Sequence, residues 1–146
     1  MKKLIFSILM APMLCFGMDR MTALSMIETG HNDRMVGRAG EISRYQILKN
    51  EWRAVTKSRH YTNPSLAHTV ATKILNQRLE RFQAVYDREP TDFEFYALWN
   101  APSQVLRGRV SPRVAERCHR FANLCSLSRP PVRTVQARTE DAQRRM

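Results

Sequence analysis

Glu28 is the acidic residue whose position in this sequence best suits acid catalysis. It follows Met21 and Leu24 at the i, i+3, i+7 spacing of one helix face, so we expect it to continue an apolar stripe that packs against the core. Burial disfavours the ionised form of a carboxyl group, and the negative end of a helix dipole acts in the same direction. A protonated carboxyl group beside a glycine-containing loop, here starting at Gly30, is suited to general-acid cleavage of a glycosidic bond. The alternative is that Glu28 turns outward on a frayed last turn.

The apolar periodicity predicts helices throughout the region that would position Glu28. The predicted helices run from Asp19 to Thr29, from about Ser43 to Thr56, from Pro64 to about Tyr86, from Asp92 to Asn100, and from Pro112 to Cys125. Asn63 before Pro64, and Thr91 three residues before Glu94, are typical helix starts. The fourth helix is apolar on nearly every side, which places it in the middle of a core. We find no strand pattern, internal repeat or Gly-rich phosphate loop, so the sequence predicts a small, single-domain all-α fold.

The composition limits the classes of function. A length of 146 residues excludes a two-domain enzyme, and a hydrophobic fraction of 43% excludes a wholly disordered basic protein. With 24 Lys and Arg against 13 Asp and Glu, the formal net charge is +11, which predicts a polyanionic or acidic partner. Nucleic acid, a membrane surface and an acidic wall polymer all fit that charge. Residues 126–146 are rich in arginine and poor in apolar residues, so we expect a disordered basic tail.

Residues 1–17 have the pattern of a secretory signal. Lys2 and Lys3 precede a short apolar run, and Cys15 and Gly17 are the small residues at positions −3 and −1 of a cut after Gly17. An amphipathic first helix of a cytosolic protein is the alternative, but the run has no polar face. The run is also too short to span a membrane, so we expect export across the inner membrane to the periplasm or cell wall, with no transmembrane segment in the mature chain. Export favours a wall polymer over nucleic acid as the partner.

Cys118 and Cys125 follow the predicted signal, and the sequence allows two interpretations of them. In an oxidising compartment an even number of cysteines favours a disulfide. Seven residues along an intact helix span about 10.5 Å, however, which exceeds the roughly 7 Å limit between bridged Cα atoms. A bridge therefore requires the helix to end before Cys125, whereas two buried thiols require no such break. No Cys or His spacing typical of zinc is present, so the sequence predicts neither a metal nor a cofactor.

Three blocks of the sequence resemble motifs of the lysozyme-like lytic transglycosylases. The first is Ala23–Gly30, where the family has an apolar helix that ends in Glu-Ser before a glycine-bearing loop. The second is Gly37–Ile47, where the family has Gly-Leu-Met-Gln, and the third is Ala97–Asn100, where it has Ala-Tyr-Asn-x-Gly. The blocks occur in the family's order and cover most of residues 22–100. The resemblance implies a lysozyme-like domain over residues 18–125.

The chain departs from the family pattern at several positions, which indicates a divergent branch. Ser43–Tyr45 replaces Gly-Leu-Met, and Gln46 keeps the position of the family's glutamine. Trp99 stands where the family has a tyrosine in the cleft, so the phenolic hydrogen bond would have to come from Tyr96. Pro102 replaces the closing glycine of the third block.

The resemblance also implies a reaction. Glu28 would protonate the glycosidic oxygen between N-acetylmuramic acid and N-acetylglucosamine. It would then act as a base on the muramic 6-hydroxyl group and close a 1,6-anhydro ring, so one carboxylate would suffice where most glycosidases use two. The implied substrate-binding residues are Glu41, Ser43, Tyr45, Gln46, Tyr96, Trp99 and Asn100. The partner would be the glycan strands of peptidoglycan.

Several alternatives stay open at this point. Glu41 is the best second acid, or it is a charge at the start of a helix at Ser43. Asp33 would activate water in a hydrolytic variant similar to goose lysozyme. The departures in the second and third blocks favour a non-catalytic peptidoglycan-binding protein on the same scaffold. A third hypothesis is a cationic envelope or membrane-surface protein that acts through residues 126–146.

Overall fold

The computed structural model describes residues 18–127, which form six α-helices and no β-strand. The helices are α1 (Arg20–Thr29), α2 (Lys49–Val55), α3 (Pro64–Tyr86), α4 (Asp92–Asn100), α5 (Pro102–Leu106) and α6 (Pro112–Leu127). The all-α prediction is confirmed for this part of the chain. The predicted signal, residues 1–17, and the predicted tail beyond Leu127 lie outside the described residues. Within 18–127, no helix combines the length and the apolar character needed to cross a bilayer.

The predicted helix starts are confirmed by their side-chain caps. Asp19 accepts hydrogen bonds from the first backbone N–H groups of α1, and Asn63 accepts one from the first turn of α3. Thr91 and Glu94 form the predicted capping box at the start of α4. Gly30 ends α1 with a φ of +64°, a left-handed conformation that glycine adopts without steric cost. Each of these signals involves residues within one turn of each other, so they could be predicted from the sequence alone.

The predicted helix from Ser43 is wrong, because α2 begins only at Lys49. Ser43 and Gln46 both have positive φ, of +64° and +53°, which no α-helix contains. Between them the chain makes a tight turn that is closed by an isolated antiparallel bridge, in which Ile42 and Ile47 exchange backbone hydrogen bonds of 2.9 and 2.8 Å. Both isoleucines are buried, so the turn is anchored in the core. The short helix α5 is a second element that the periodicity did not indicate.

Helix α4 lies in the middle of the core, as its apolar residues predicted. Its residues from Phe95 to Trp99 are all buried, and it packs against α3, α5 and α6. Helix α6 also packs against α1, so α1, α4 and α6 meet in one region. Phe121 of α6 contacts the rings of both Phe95 and Tyr96, at centroid distances of 5.7 and 5.3 Å. This packing brings the end of α1 against the inner face of α4.

The continuous path of α6 decides between the two interpretations of the cysteines. Because the helix runs unbroken from Pro112 to Leu127, Cys118 and Cys125 are held two turns apart on it. Both side chains are buried in the core. Burial raises the pKa of the Cys118 thiol to about 11. The arrangement is therefore that of buried thiols that pack like small apolar residues.

Candidate active site

The Glu28 side chain lies in the region where α1, α4 and α6 meet. It is only 6% exposed. Its Oε1 accepts a hydrogen bond of 2.6 Å from the hydroxyl group of Tyr96 on α4, and its Oε2 accepts one of 3.1 Å from Nη2 of Arg117 on α6. Glu28 therefore points inward, as its place on the apolar stripe of α1 predicts, and does not turn out on a frayed last turn.

Tyr96 is a buried phenol whose hydroxyl group donates a hydrogen bond to Glu28. Its side chain is fully buried. Burial, followed by the nearby Glu28 carboxylate and the hydrogen bond to it, raises the pKa of Tyr96 well above its ordinary value. The phenol thus stays protonated and remains a hydrogen-bond donor at any working pH. The sequence analysis expected a phenolic hydrogen bond from Tyr96, because Trp99 stands where the family has its tyrosine.

Arg117 is a second partner of Glu28 that the sequence analysis missed. Its guanidinium carbon lies 5.6 Å from the centroid of the Tyr96 ring, and its side chain is 38% exposed. The one available signal was its place beside Cys118 on the apolar stripe of α6, which puts the stem of Arg117 next to the core. Arg117 and Tyr96 both donate to Glu28, so a hydrogen bond holds each of its two carboxyl oxygens.

Glu28 opens into a cavity of about 300 Å³, hereafter the Glu28 cavity. It is lined mainly by charged and polar side chains, with one aromatic wall. The lining residues are Glu28, Arg38, Glu41, Gln46, Leu48, Glu51, Arg78, Trp99, Asn100 and Arg117. The cavity thus brings together five of the predicted site residues, namely Glu28, Glu41, Gln46, Trp99 and Asn100. The hydroxyl of a sixth, Tyr96, reaches Glu28 itself.

Glu41 and Gln46 reach the cavity because the second block folds over a glycine. A β-carbon at Gly37 would overlap the Oε2 atom of Glu41 and the Oε1 atom of Gln46, so both side chains pack directly on the bare glycine backbone. The Glu41 carboxylate also accepts a hydrogen bond of 2.9 Å from the N–H of Ala39. Glu41 is therefore a residue of the cavity wall. Its alternative role at the start of a helix is wrong, because no helix begins at Ser43.

Ser43 and Tyr45 are placed away from the Glu28 cavity. Ser43 is buried in the turn. The Tyr45 hydroxyl is 3.1 Å from Nδ1 of His68, and its side chain lines a separate surface cavity. The Tyr45 ring meets the Trp99 ring edge-on at a centroid distance of 6.5 Å. Tyr45 thus supports the aromatic wall of the Glu28 cavity and does not line it.

Arg78 of α3 fixes the end of α4, and it too was missed by the sequence analysis. It donates to the backbone oxygens of Leu98 and Trp99, at 3.3 and 2.6 Å, and its guanidinium carbon lies 5.2 Å from the centroid of the Trp99 ring. It also forms an ion pair with Glu51 of α2. A cation on the last carbonyl groups of a helix complements the helix dipole. These contacts hold Trp99 and Asn100 at the cavity.

The part of the loop around Asp33, after α1, is tied to the 43–46 turn. Arg44 donates two hydrogen bonds of 2.6 Å to Asp33, and these bonds lower the pKa of that carboxyl group. The Thr29 hydroxyl donates to the backbone oxygen of Arg44 at 3.0 Å. Asp33, the candidate for water activation, is thus engaged with Arg44 and is not part of the Glu28 cavity wall.

No family model, curated protein or solved structure significantly matches this chain. The functional assignment therefore depends on the chemistry of the Glu28 cavity and on the three blocks of sequence that form it. Two of the elements that carry those blocks, α1 and α4, are joined directly at Glu28 and Tyr96. The third, the 37–47 segment, supplies Glu41 and Gln46 to the same cavity.

Proposed function

We propose that the protein is a peptidoglycan lytic transglycosylase with a lysozyme-like fold, in which Glu28 is the single acid and base. The observation that carries this proposal is the position of Glu28: its side chain is nearly buried, it borders a polar cavity, and it accepts a short hydrogen bond from a buried phenol. A carboxyl group that is shielded from water but reachable from a cavity is the arrangement that general-acid catalysis needs.

The walls of the Glu28 cavity suit an N-acetylated sugar. Gln46 and Asn100 present amide groups that can donate to and accept from an N-acetyl group. The Trp99 ring borders the cavity, where it could pack against a sugar, and the Arg78 contacts keep it in place. A cavity of about 300 Å³ is at the small end of the range for small-molecule sites, so it fits the sugars around one scissile bond.

The proposed reaction uses one carboxyl group twice, with two different protons. Glu28 gives its proton to the glycosidic oxygen as the bond from that oxygen to C1 of N-acetylmuramic acid breaks. The resulting Glu28 carboxylate takes the proton of the muramic 6-hydroxyl group, whose oxygen bonds to C1 and closes the 1,6-anhydro ring. Glu28 is protonated again at the end, and no water is consumed. Because the same carboxyl group acts in both steps, a second catalytic carboxylate is not required.

Glu41 favours a second candidate, a hydrolytic lysozyme-like glycosidase. Its carboxylate lies in the wall of the same cavity, where it could activate a water molecule for attack on C1. The product would then carry a free reducing end instead of an anhydro ring.

The contacts of Glu28 favour a third candidate, a non-catalytic peptidoglycan-binding protein. Tyr96 and Arg117 each donate a hydrogen bond to Glu28, so both of its carboxyl oxygens are already engaged by protein groups. A protein that only binds wall glycans would sediment with purified peptidoglycan and release no soluble fragments.

The variant Glu28→Gln separates the enzymes from the binder. It preserves the shape of the side chain and removes its ability to carry a proton, so we expect wall clearing to be lost while the helical circular dichroism spectrum is unchanged. Glu116→Gln is the matched control, because Glu116 is exposed on α6 and is not part of the cavity; it should clear the wall as the unmodified protein does. Full activity in Glu28→Gln would contradict the assignment of Glu28.

A further inference from the structure

We infer that Arg117 is a specificity-determining residue: it pairs with Glu28, and a carboxylate of the substrate replaces Glu28 as its partner. This inference rests on the proposed function, since it concerns the same cavity and the same class of glycan. It adds a requirement that the reaction itself does not contain: the preferred substrate carries a negative charge close to the scissile bond.

The contact between Arg117 and Glu28 is one that a ligand can replace. Only one hydrogen bond, from Nη2 to Oε2 at 3.1 Å, joins the two groups. A guanidinium group has five N–H donors in a planar fork and binds a carboxylate best through two of them. The Arg117 side chain is 38% exposed whereas that of Glu28 is 6% exposed. The arginine can therefore turn toward a ligand in the cavity, while the glutamate stays in place against Tyr96.

The other two arginines of the Glu28 cavity are less suited to this role. Arg78 is only 12% exposed and is held by Glu51 and by the carbonyl groups at the end of α4. Arg38 lies on the 37–47 segment, is exposed, and has no contact with the catalytic carboxyl group. Arg117 differs from both because its partner is Glu28 itself, so a ligand that pairs with Arg117 also changes the contacts of Glu28.

That coupling has a chemical consequence. A substrate carboxylate that pairs with Arg117 competes with Glu28 for the guanidinium group. When the substrate carboxylate takes the guanidinium group, Glu28 keeps its hydrogen bond from Tyr96 at Oε1, and its Oε2 is released to face the glycosidic oxygen. A neutral glycan leaves the Arg117–Glu28 pair intact. Arg117 would thus link recognition of an anionic substrate to the release of the second carboxyl oxygen of Glu28.

Peptidoglycan offers this carboxylate from two sources. The lactyl group of N-acetylmuramic acid is a free carboxylate where the stem peptide has been removed, and the stem peptide carries its own carboxylates where it is present. The shared chemistry is a carboxylate that reaches Arg117 from a muramic residue bound in the Glu28 cavity.

Binding measurements with defined fragments test the competition without depending on cleavage. The probes are the disaccharide GlcNAc–MurNAc with a free lactyl carboxylate, its neutral lactyl amide, and the same disaccharide carrying a tripeptide stem. Isothermal titration at neutral pH would compare the unmodified protein, Glu28→Gln, Arg117→Gln and the double variant. Arg120→Gln is the matched control, since Arg120 is an exposed arginine of the same helix that does not line the cavity.

Removal of the internal competitor should strengthen binding of a charged ligand. We expect Glu28→Gln to bind a carboxylate-bearing probe roughly tenfold more tightly than the unmodified protein, a typical coupling between groups in contact, and to bind the neutral amide equally. In the Arg117→Gln background the same change should give no gain. Arg120→Gln should behave as the unmodified protein. A gain seen with the free lactyl acid identifies that group as the source, and a gain confined to the tripeptide probe identifies the stem.

Two results would overturn the inference: Glu28→Gln showing no gain for either charged probe, or Arg117→Gln retaining the full gain. A thermal melt of each variant shows whether it is folded. Arg117→Lys, which keeps the charge but loses the planar guanidinium fork, should keep part of the preference.

A different result would contradict the proposed function. A protein that binds these probes with the predicted pattern but releases no fragments from peptidoglycan is not a transglycosylase, whereas one that releases fragments without the pattern is a transglycosylase without this specificity.

Discussion

The hydroxyl group of Tyr96 lies 2.6 Å from Oε1 of Glu28 and joins two helices across 68 positions of the sequence. Tyr96 is buried and Glu28 is nearly so, so this bond is shielded from water. It fixes the carboxyl group in one orientation while Oε2 faces Arg117 and the cavity. The position of the candidate acid is therefore set by a hydrogen bond from a side chain that is buried away from water.

Tyr96→Phe should lower activity much more than its effect on stability explains. The change removes the donor to Glu28 and leaves a buried carboxylate oxygen without that partner. We expect a loss of roughly tenfold to hundredfold in the rate of wall clearing, with a cost of about 1–3 kcal/mol in the free energy of unfolding.

Tyr86→Phe is the control for that experiment. The Tyr86 hydroxyl donates to the backbone oxygen of Val105 at 2.9 Å, away from the Glu28 cavity. Its loss should cost about 1 kcal/mol in stability and leave the rate unchanged. Equal rates for Tyr96→Phe and Tyr86→Phe would remove the catalytic significance of the Tyr96–Glu28 bond.

Gly37→Ala should disturb the cavity wall more than it disturbs the fold. The new methyl group would overlap the side chains of Glu41 and Gln46, which must then leave their positions over residue 37. We expect weaker binding of wall glycan in a sedimentation assay. Gly40→Ala is the control, because a β-carbon at that position meets open space. The only cost there is the left-handed backbone, with a φ of +82°. It should cost about 1 kcal/mol of stability and leave glycan binding intact, and the reverse pattern would contradict the assigned role of Gly37.

Ser43 occupies a backbone conformation that glycine adopts more readily. With φ at +64°, its backbone is in the left-handed region that disfavours a β-carbon, and the family that the second block resembles has glycine at this place. We expect Ser43→Gly to raise the free energy of unfolding by up to about 1 kcal/mol, whereas Ser43→Val should lower it by more than that, because β-branched residues are least tolerant of positive φ. Chemical denaturation of the three proteins measures this, and a clearly destabilised Ser43→Gly would contradict the strain.

Glu94 should stabilise the fold only above acidic pH. Hydrogen bonds from Arg88, followed by those from Thr91, lower the pKa of Glu94 from 4.5 to about 2. A carboxyl group with a depressed pKa in the folded state contributes stability that is fully present above its unfolded pKa and is lost as the pH falls. Glu94→Gln should therefore lower the melting temperature at pH 7 and have progressively less effect as the pH falls from about 5 toward 2. Glu80→Gln, at an exposed position of α3, is the matched control and should change the melting temperature little at pH 7. A difference that persists unchanged at pH 2 would contradict this account.

Local signals made much of the fold readable from the sequence. The caps at Asp19, Asn63 and Thr91 depend on residues within one turn, and the all-round apolar character of α4 indicates its central position without knowledge of its neighbours. The turn at Ser43 was not readable, because positive φ at a serine is imposed by the buried bridge between Ile42 and Ile47. The apolar residues of this segment have a spacing that is also typical of a helix, which is why a helix was predicted from Ser43.

The candidate site was readable only in part for a similar reason. The orientation of Glu28 follows from its spacing along a single helix. Its hydrogen bond with Arg117 joins residues 89 positions apart. That bond depends on how α6 packs against α1. Arg78 likewise reaches the end of α4 from another helix. Long-range polar contacts of this kind leave no periodic trace in the sequence, so the inward orientation of Glu28 was predictable and its cationic neighbours were not.

Mass spectrometry of the fragments released from purified peptidoglycan tests the central claim most directly. If Glu28 alone performs both proton transfers, the released muramic ends are 1,6-anhydro forms, lighter than hydrolysed ends by one water, and Glu28→Gln releases none. Fragments that carry free reducing ends, or anhydro fragments released equally by Glu28→Gln, would contradict it.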